Sequence, residues 1–287
     1  MKIEWKHTAI ILVTALLAAF FSFGSKSVEE TIIFFPIDPD LRFNTVDTNL
    51  LARQAGTSQY QVNWKIESTL VKPVYLRQDI SLLYKNGRLI GIIKDWKQNQ
   101  ANLLQTKSFT EQESGLFESV SYHYGEVHPK SNTYTSVQKM SKDHLYAILT
   151  PKKDFQAFHD SSNNEQRAWQ HTFDKYTKSI VETAYTDALK QFGILENHYI
   201  ALPLTDLASR FDELLKSFPP EQREEIIGKL WEGLYKNYVM GIKKEDGSIL
   251  NPIGSTVPIV LVAKNHSELL VLFQTSDGTP ILLRQSL

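Results

Sequence analysis

Residues 79–94 read DISLLYKNGRLIGIIK, and this stretch sets the fold class. Asn86-Gly87 is the favoured pair for a two-residue type I′ turn, because both central positions need positive φ. Pairing outward from Lys85 and Arg88 puts Tyr84 opposite Leu89, Ile80 opposite Ile93, and Asp79 opposite Lys94 as a charge pair. Ile80, Leu82, Tyr84, Leu89 and Ile93 then share one face. An antiparallel sheet is the expected frame, since parallel neighbours require long crossovers.

Strand signals continue on both sides. Tyr60, Val62, Trp64 and Ile66 alternate with Gln61, Asn63, Lys65 and Glu67, the period-two pattern of a strand with one buried face. Leu70–Leu76 is a further candidate, which Pro73 assigns to an edge or a bulge. Leu116–His128 and Thr133–Met140 read as a second hairpin through Pro129–Asn132, and Leu145–Leu149 adds a strand. Upstream, Thr31–Phe35 reads as a short strand, and Pro36, Asp38 and Pro39 as a turn leading into a linker.

The period then lengthens. Trp169, Phe173, Tyr176, Ile180 and Ala184 form a helical stripe. Asn163 and Asn164 offer N-caps and Gly193 a left-handed C′ position, giving a helix over 164–192. A second helix follows Thr205 and stops at Pro219-Pro220. A third opens at Pro220, with Glu221, Glu224 and Glu225 complementing its dipole, and ends near Gly241. Val257–Ala263 and Leu269–Thr275 return to strand. The reading is an α+β domain over 57–287, β-rich at 57–150, helical at 163–241 and β again at 257–285. Its final hairpin is expected to join the earlier sheet.

The amino terminus has a different character. Ala9–Phe23 is apolar apart from Thr14 and Ser22, and Thr8 and Gly24 extend the run over 8–24. It lies between a signal-peptide core and a full span in length. Lys2 and Lys6 precede it, so residues 1–7 are expected in the cytoplasm and the rest outside. The expected partition is a stub, a transmembrane or signal-anchor helix at 8–24, and a membrane-proximal segment at 25–56. Cleavage near Gly24, with secretion, is the alternative. The bulk of Phe20, Phe21 and Phe23 beside that site favours the anchor.

Composition narrows the function. The 287 residues carry 31 Lys+Arg, 32 Asp+Glu and no cysteine. The charge balance argues against nucleic-acid binding. The lack of cysteine excludes disulfides, thiolate catalysis and iron–sulfur clusters. The sequence has no G-x-S-x-G, H-E-x-x-H, Walker or G-x-G-x-x-G motif, and no cofactor is expected.

His123, Glu126 and His128 are the candidate metal ligands. In a regular strand Glu126 and His128 share a face and His123 points away, so a bulge at Gly125 is required for all three to meet on a divalent ion. His171 with Asp174 reads as a solvated helix face, and His159-Asp160 beside Ser161-Ser162 as linker and cap residues. Glu111 and Glu113 read as a loop, and Trp96 and Trp169 as packing residues. The expected role is non-enzymatic: a domain tethered to the membrane through 8–24 that binds an envelope protein or a cell-wall ligand. The rival is an exported hydrolase built on His123, Glu126 and His128.

Overall fold

The computed structural model describes residues 33–128, 133–150, 154–243 and 247–287. The expected cytoplasmic stub and apolar helix lie outside these residues, as do the first part of the membrane-proximal segment, Thr31 and Ile32 of the expected first strand, and the Pro129–Asn132 turn. Among the described residues no helix is long and apolar enough to cross a membrane.

The α+β expectation is corrected: among the described residues strand makes up 51% and helix 25%, and the main sheet curls into a nearly closed barrel. Six strands build it: β1 (Phe43–Gln54), β2 (Tyr60–Lys85), β3 (Arg88–Glu111), β4 (Gly115–Val127), β5 (Thr135–Leu149) and β6 (Phe155–Phe158). All their pairings are antiparallel.

The closure comes from one strand, β2, which is 26 residues long. Its register on β3 slips between Thr69 and Val74, where Pro73 removes a ladder donor. Before the slip β2 pairs with β1, and after it with β4. The slip also reverses which residues face inward. Tyr60, Val62, Trp64, Ile66 and Ser68 are buried before it, and Arg77, Asp79, Ser81 and Leu83 after it. The sheet therefore folds over at Leu70–Pro73 and brings β1 across β4 and β5. No backbone ladder joins β1 to β5. Side chains bridge the seam instead: Leu50 N–H donates to Asp143 Oδ2 at 2.7 Å, and the Thr48 and Ser141 hydroxyls lie 2.6 Å apart.

The Asn86-Gly87 turn forms as expected, with φ of 50° and 80°. Tyr84 pairs with Leu89, but Ile80 pairs with Lys94 and Asp79 with Asp95. Ile90 is an extra residue on β3, a bulge that period-two extrapolation does not register. It sends Leu89 to the outer core and Ile93 to the barrel interior. Gly91 accommodates the Trp64 ring there, since a Cβ would stand 3.2 Å from Trp64 Cζ3.

The second correction concerns the tail. β10 (Ile259–Ala263), β11 (Glu268–Gln274) and β12 (Pro280–Ser286) do not join the barrel sheet. They form a separate sheet with β7 (Tyr199–Pro203), in the order β12-β11-β10-β7. β7 lies between helices α1 (Asn164–Phe192) and α2 (Leu204–Leu214). Helix α3 (Pro220–Leu234) follows and runs into a π-turn at Tyr235–Val239; a small ribbon, β8 (Ile242–Lys243) with β9 (Ile249–Leu250), comes next. The main core fills the space between the outer face of the barrel sheet and this layer. Tyr122 of β4 stacks on Trp231 of α3 with ring centroids 5.1 Å apart.

Helix α1 has the expected bounds and caps. Asn163 accepts from Gln166 N, and Gly193 sits at φ 63°. Its buried stripe is Thr177, Val181, Ala184 and Ala188, while Tyr176 is exposed. These smaller side chains seat the helix directly on the Gly87 turn, where Val181 Cγ2 would lie 3.2 Å from an added Cβ. Trp169 and Phe173 pack instead on a satellite cluster around Tyr146, Ile148 and Phe158.

Candidate functional site

Two polar constellations arise from this architecture. The first lies inside the barrel. The apolar set around Leu50, Trp64 and Phe117 fills part of the interior, and the inward positions of β1, β2, β4 and β5 beyond it are polar. His123 and Asp79 are fully buried, with His123 Nδ1 2.8 Å from Asp79 Oδ2 and His123 Nε2 2.7 Å from the Ser141 hydroxyl. Arg77, also fully buried, lies 3.3 Å from Asp79 Oδ1, bonds the Ser68 hydroxyl and donates to the Tyr124 carbonyl at 2.7 Å. Burial lowers the guanidinium's pKa, and Asp79 acts against that shift. Thr48 reaches over from β1 and donates to Ser121 at 2.6 Å. Buried charges persist only when paired and hydrogen-bonded; this network pairs Arg77 with Asp79, leaves Arg77 Nε without a partner among the described residues, and fastens β1 over the sheet.

The metal set does not assemble. Both ladders of β4 run through Gly125 in unbroken register, Arg77 opposite on one side and Val137 on the other, so the required bulge is absent. His123 points into the barrel. Glu126 and His128 bond each other on the opposite face, and the His128 ring stacks on Tyr75 at 3.7 Å. Among the described residues no group of three or more His, Cys, Asp or Glu side chains is placed to hold a metal ion.

The second constellation lines a cleft of about 530 Å³ between α1, β4, β7 and α2. That volume lies within the ordinary range for small-ligand sites. Helix α1 contributes Asp174, Thr177, Lys178, Val181, Glu182 and Tyr185, which recur at the spacing of one helix face. Leu116, Val181, Leu202 and Ile259 make its apolar surface, and Glu118 of β4 enters from the sheet.

The Glu118 pKa is raised from 4.5 to about 7, first by burial and then by Asp206, against a hydrogen bond from Thr205 and the charge of Lys142. Lys142 Nζ stands 3.7 Å from Asp206 Oδ1. Asp174 accepts the Tyr146 hydroxyl at 2.6 Å, so its partner is on the sheet and not His171. Tyr185 donates to Glu196 at 3.1 Å.

The other sequence candidates are accounted for locally. His159 pairs with Asp143 at 3.2 Å, Glu111 with Lys85 at 2.6 Å, and Trp96 is exposed. Sequence reading missed Glu118, Thr177 and Asp206. Glu118 gave one usable signal: it is a carboxylate in phase with Val120, Tyr122 and Tyr124 on the apolar face of a strand.

No family model matches the chain, and no curated protein matches it. Among the solved structures that resemble parts of it are two Bacteroides proteins. One is Bacteroides uniformis beta-glucuronidase 2 covalently bound to cyclophellitol-6-carboxylate aziridine, with a TM-score of 0.27, 14% identity, 42% of this chain and 16% of that chain covered. The other is a proposed beta-galactosidase from Bacteroides fragilis, with a TM-score of 0.22, 9% identity, 40% of this chain and 18% of that chain covered. The chain spans less than a fifth of either protein. Likeness this slight establishes neither a shared fold nor a shared activity.

Proposed function

We propose that the chain is an extracytoplasmic binding protein of the cell envelope and that the α1/β4/β7/α2 cleft is its ligand site. The apolar run at 8–24, with Lys2 and Lys6 before it, supports export, with the domain either held at the membrane or released near Gly24. The observation that carries the binding role is the cleft itself, in which an apolar surface surrounds a carboxylate poised near neutral pH. An envelope protein or a cell-wall component presenting a small group of matching shape is the expected partner.

The test is ligand-induced stabilisation of the purified chain. A ligand of the folded state at about 100 times its Kd adds about 2.7 kcal/mol. Ala201 lines the cleft, and Ala201→Trp fills it. Compounds that raise the melting temperature of the natural chain but not of Ala201→Trp support the reading. Stabilisation that survives Ala201→Trp, or a diverse library without one stabilising compound, rejects it.

One observation favours a second reading, the exported hydrolase. Ser141, His123 and Asp79 stand in the order of nucleophile, base and orienting carboxylate, at hydrogen-bond distances. Ser141 is the partly exposed member, at the open seam. A fluorophosphonate probe that labels the natural chain but not Ser141→Ala supports it, and a chain that takes no label rejects it.

A further inference from the structure

The charge of the cleft specifies the ligand's chemistry, on the reading that the cleft is a ligand site. Its wall carries five carboxylates, Glu118, Asp174, Glu182, Glu196 and Asp206, against two cations, Lys178 and Arg210. Both cations already face a carboxylate: Lys178 lies 3.5 Å from Glu182, and Arg210 lies 3.8 Å from Glu213. Lys142 stands 3.7 Å from Asp206 as a third cation, yet the carboxylates still outnumber the cations and the cleft keeps an excess of negative charge. Such a surface over an apolar floor attracts positive charge.

A second observation points the same way independently of charge. Thr177 is 8% exposed and lines the cleft, and its buried hydroxyl has no hydrogen-bond partner among the described residues. Its methyl group faces the turn, 3.4 Å from where a Cβ on Gly87 would stand. Thr177 thus touches the turn through its methyl group and forms part of the cleft wall. A buried polar group without a partner costs free energy that a bound ligand can recover. The carboxylates are too dispersed for one metal ion, since among the described residues no group of three or more is placed to hold one. The cation that fits is thus an extended organic one.

We propose that the cleft binds an organic ammonium ion carried on an apolar body, with the ammonium held by Glu118 and Asp206 and the body against Leu116, Val181, Leu202 and Ile259. The Thr177 hydroxyl bonds a polar group of the same ligand. Glu118 is faced by Asp206 and Thr205 from α2, Asp174 from α1 and Lys142 from β5. The ligand's charge adds to that of Lys142 and favours the ionised carboxylate. Affinity then rises with pH as Glu118 loses its proton.

The experiment compares cyclohexylammonium, cyclohexanol and cyclohexanecarboxylate as isosteric probes, titrated into the full chain by calorimetry at fixed ionic strength. Cyclohexylammonium is expected to bind best. Glu118→Gln, which preserves size, is expected to weaken it about tenfold or more and to abolish the rise with pH. Thr177→Val is expected to weaken a probe with an added hydroxyl more than cyclohexylammonium itself. Cyclohexanol binding as tightly as cyclohexylammonium, with neither changed by Glu118→Gln, overturns the ammonium proposal and leaves the cleft as a ligand site. Binding of all three probes unchanged in Ala201→Trp places the ligand elsewhere and overturns both.

Discussion

Replacing Asp79 by alanine tests whether the barrel is fastened from within. The substitution removes the carboxylate that lies 3.3 Å from the Arg77 guanidinium and 2.8 Å from His123 Nδ1. Arg77 and Asp79 are both fully buried, so water does not replace the lost partner. Breaking one side of a buried ion pair costs about 3–5 kcal/mol, because a charge is left uncompensated. At roughly 2–4 °C per kcal/mol for a domain of this size, the melting temperature falls by about 10 °C. Urea unfolding followed by tryptophan fluorescence reads this directly, since Trp64 is buried inside the barrel.

The partner experiment is Arg77→Met combined with Asp79→Leu. Removing both charges together is expected to cost clearly less than the sum of the single changes, because neither charge is stranded. A loss below about 1 kcal/mol for Asp79→Ala, or a double variant that costs the full sum, refutes the assignment of this pair as mutually dependent.

Other consequences are as specific. Glu118 has a folded-state pKa of about 7 against 4.5. The folded state therefore holds the proton more tightly, and stability attributable to this group falls as pH rises from 4.5 to about 7. Glu118→Gln is expected to flatten that part of the stability–pH curve, measured by urea midpoints. Gly87→Ala places a side chain at φ 80° and within 3.2 Å of Val181 Cγ2; a loss of about 1–3 kcal/mol is expected in the same assay. Asn163→Ala removes the cap on Gln166 N and is expected to cost about 1 kcal/mol. Gly228→Ala would drive a Cβ into the Phe34 ring. It is expected to unseat Phe34 from α3, which limited proteolysis would register as faster cutting near Pro36.

The sequence made some of this legible where local physics decides the outcome. Asn86-Gly87 can hardly do anything but turn, and Asn163 and Gly193 bracket a helix whose ends need those groups. The alternation at Tyr60–Ile66 marked a buried face correctly. What escaped was set by non-local geometry. Pro73 reads as an edge or a bulge, and the register does slip there; that one strand runs through it and changes partners is not announced. Ile90 shifts the hairpin by one residue, and no period-two pattern announces an extra residue. β1 reads as a linker because its inward residues, such as Val46 and Thr48, are modest, and only closure over β4 and β5 buries Thr48.

The candidate site escaped for the same reason. Glu118, Asp174 and Asp206 come from β4, α1 and α2, and only the packing of those elements brings them to one cleft. His123 reads in the sequence as a metal ligand with Glu126 and His128, but its partners are Asp79 and Ser141, 44 and 18 positions away.

The seam also dictates an order of assembly. Thr48 leaves the ribosome 93 positions ahead of Ser141, so β1 must wait for its far neighbour. In that interval β2 and β3 can zip from the Asn86-Gly87 turn and hold β1 by one edge only. Its other edge is ready to template a second molecule until β5 arrives and covers it through the Thr48–Ser141 and Leu50–Asp143 bonds.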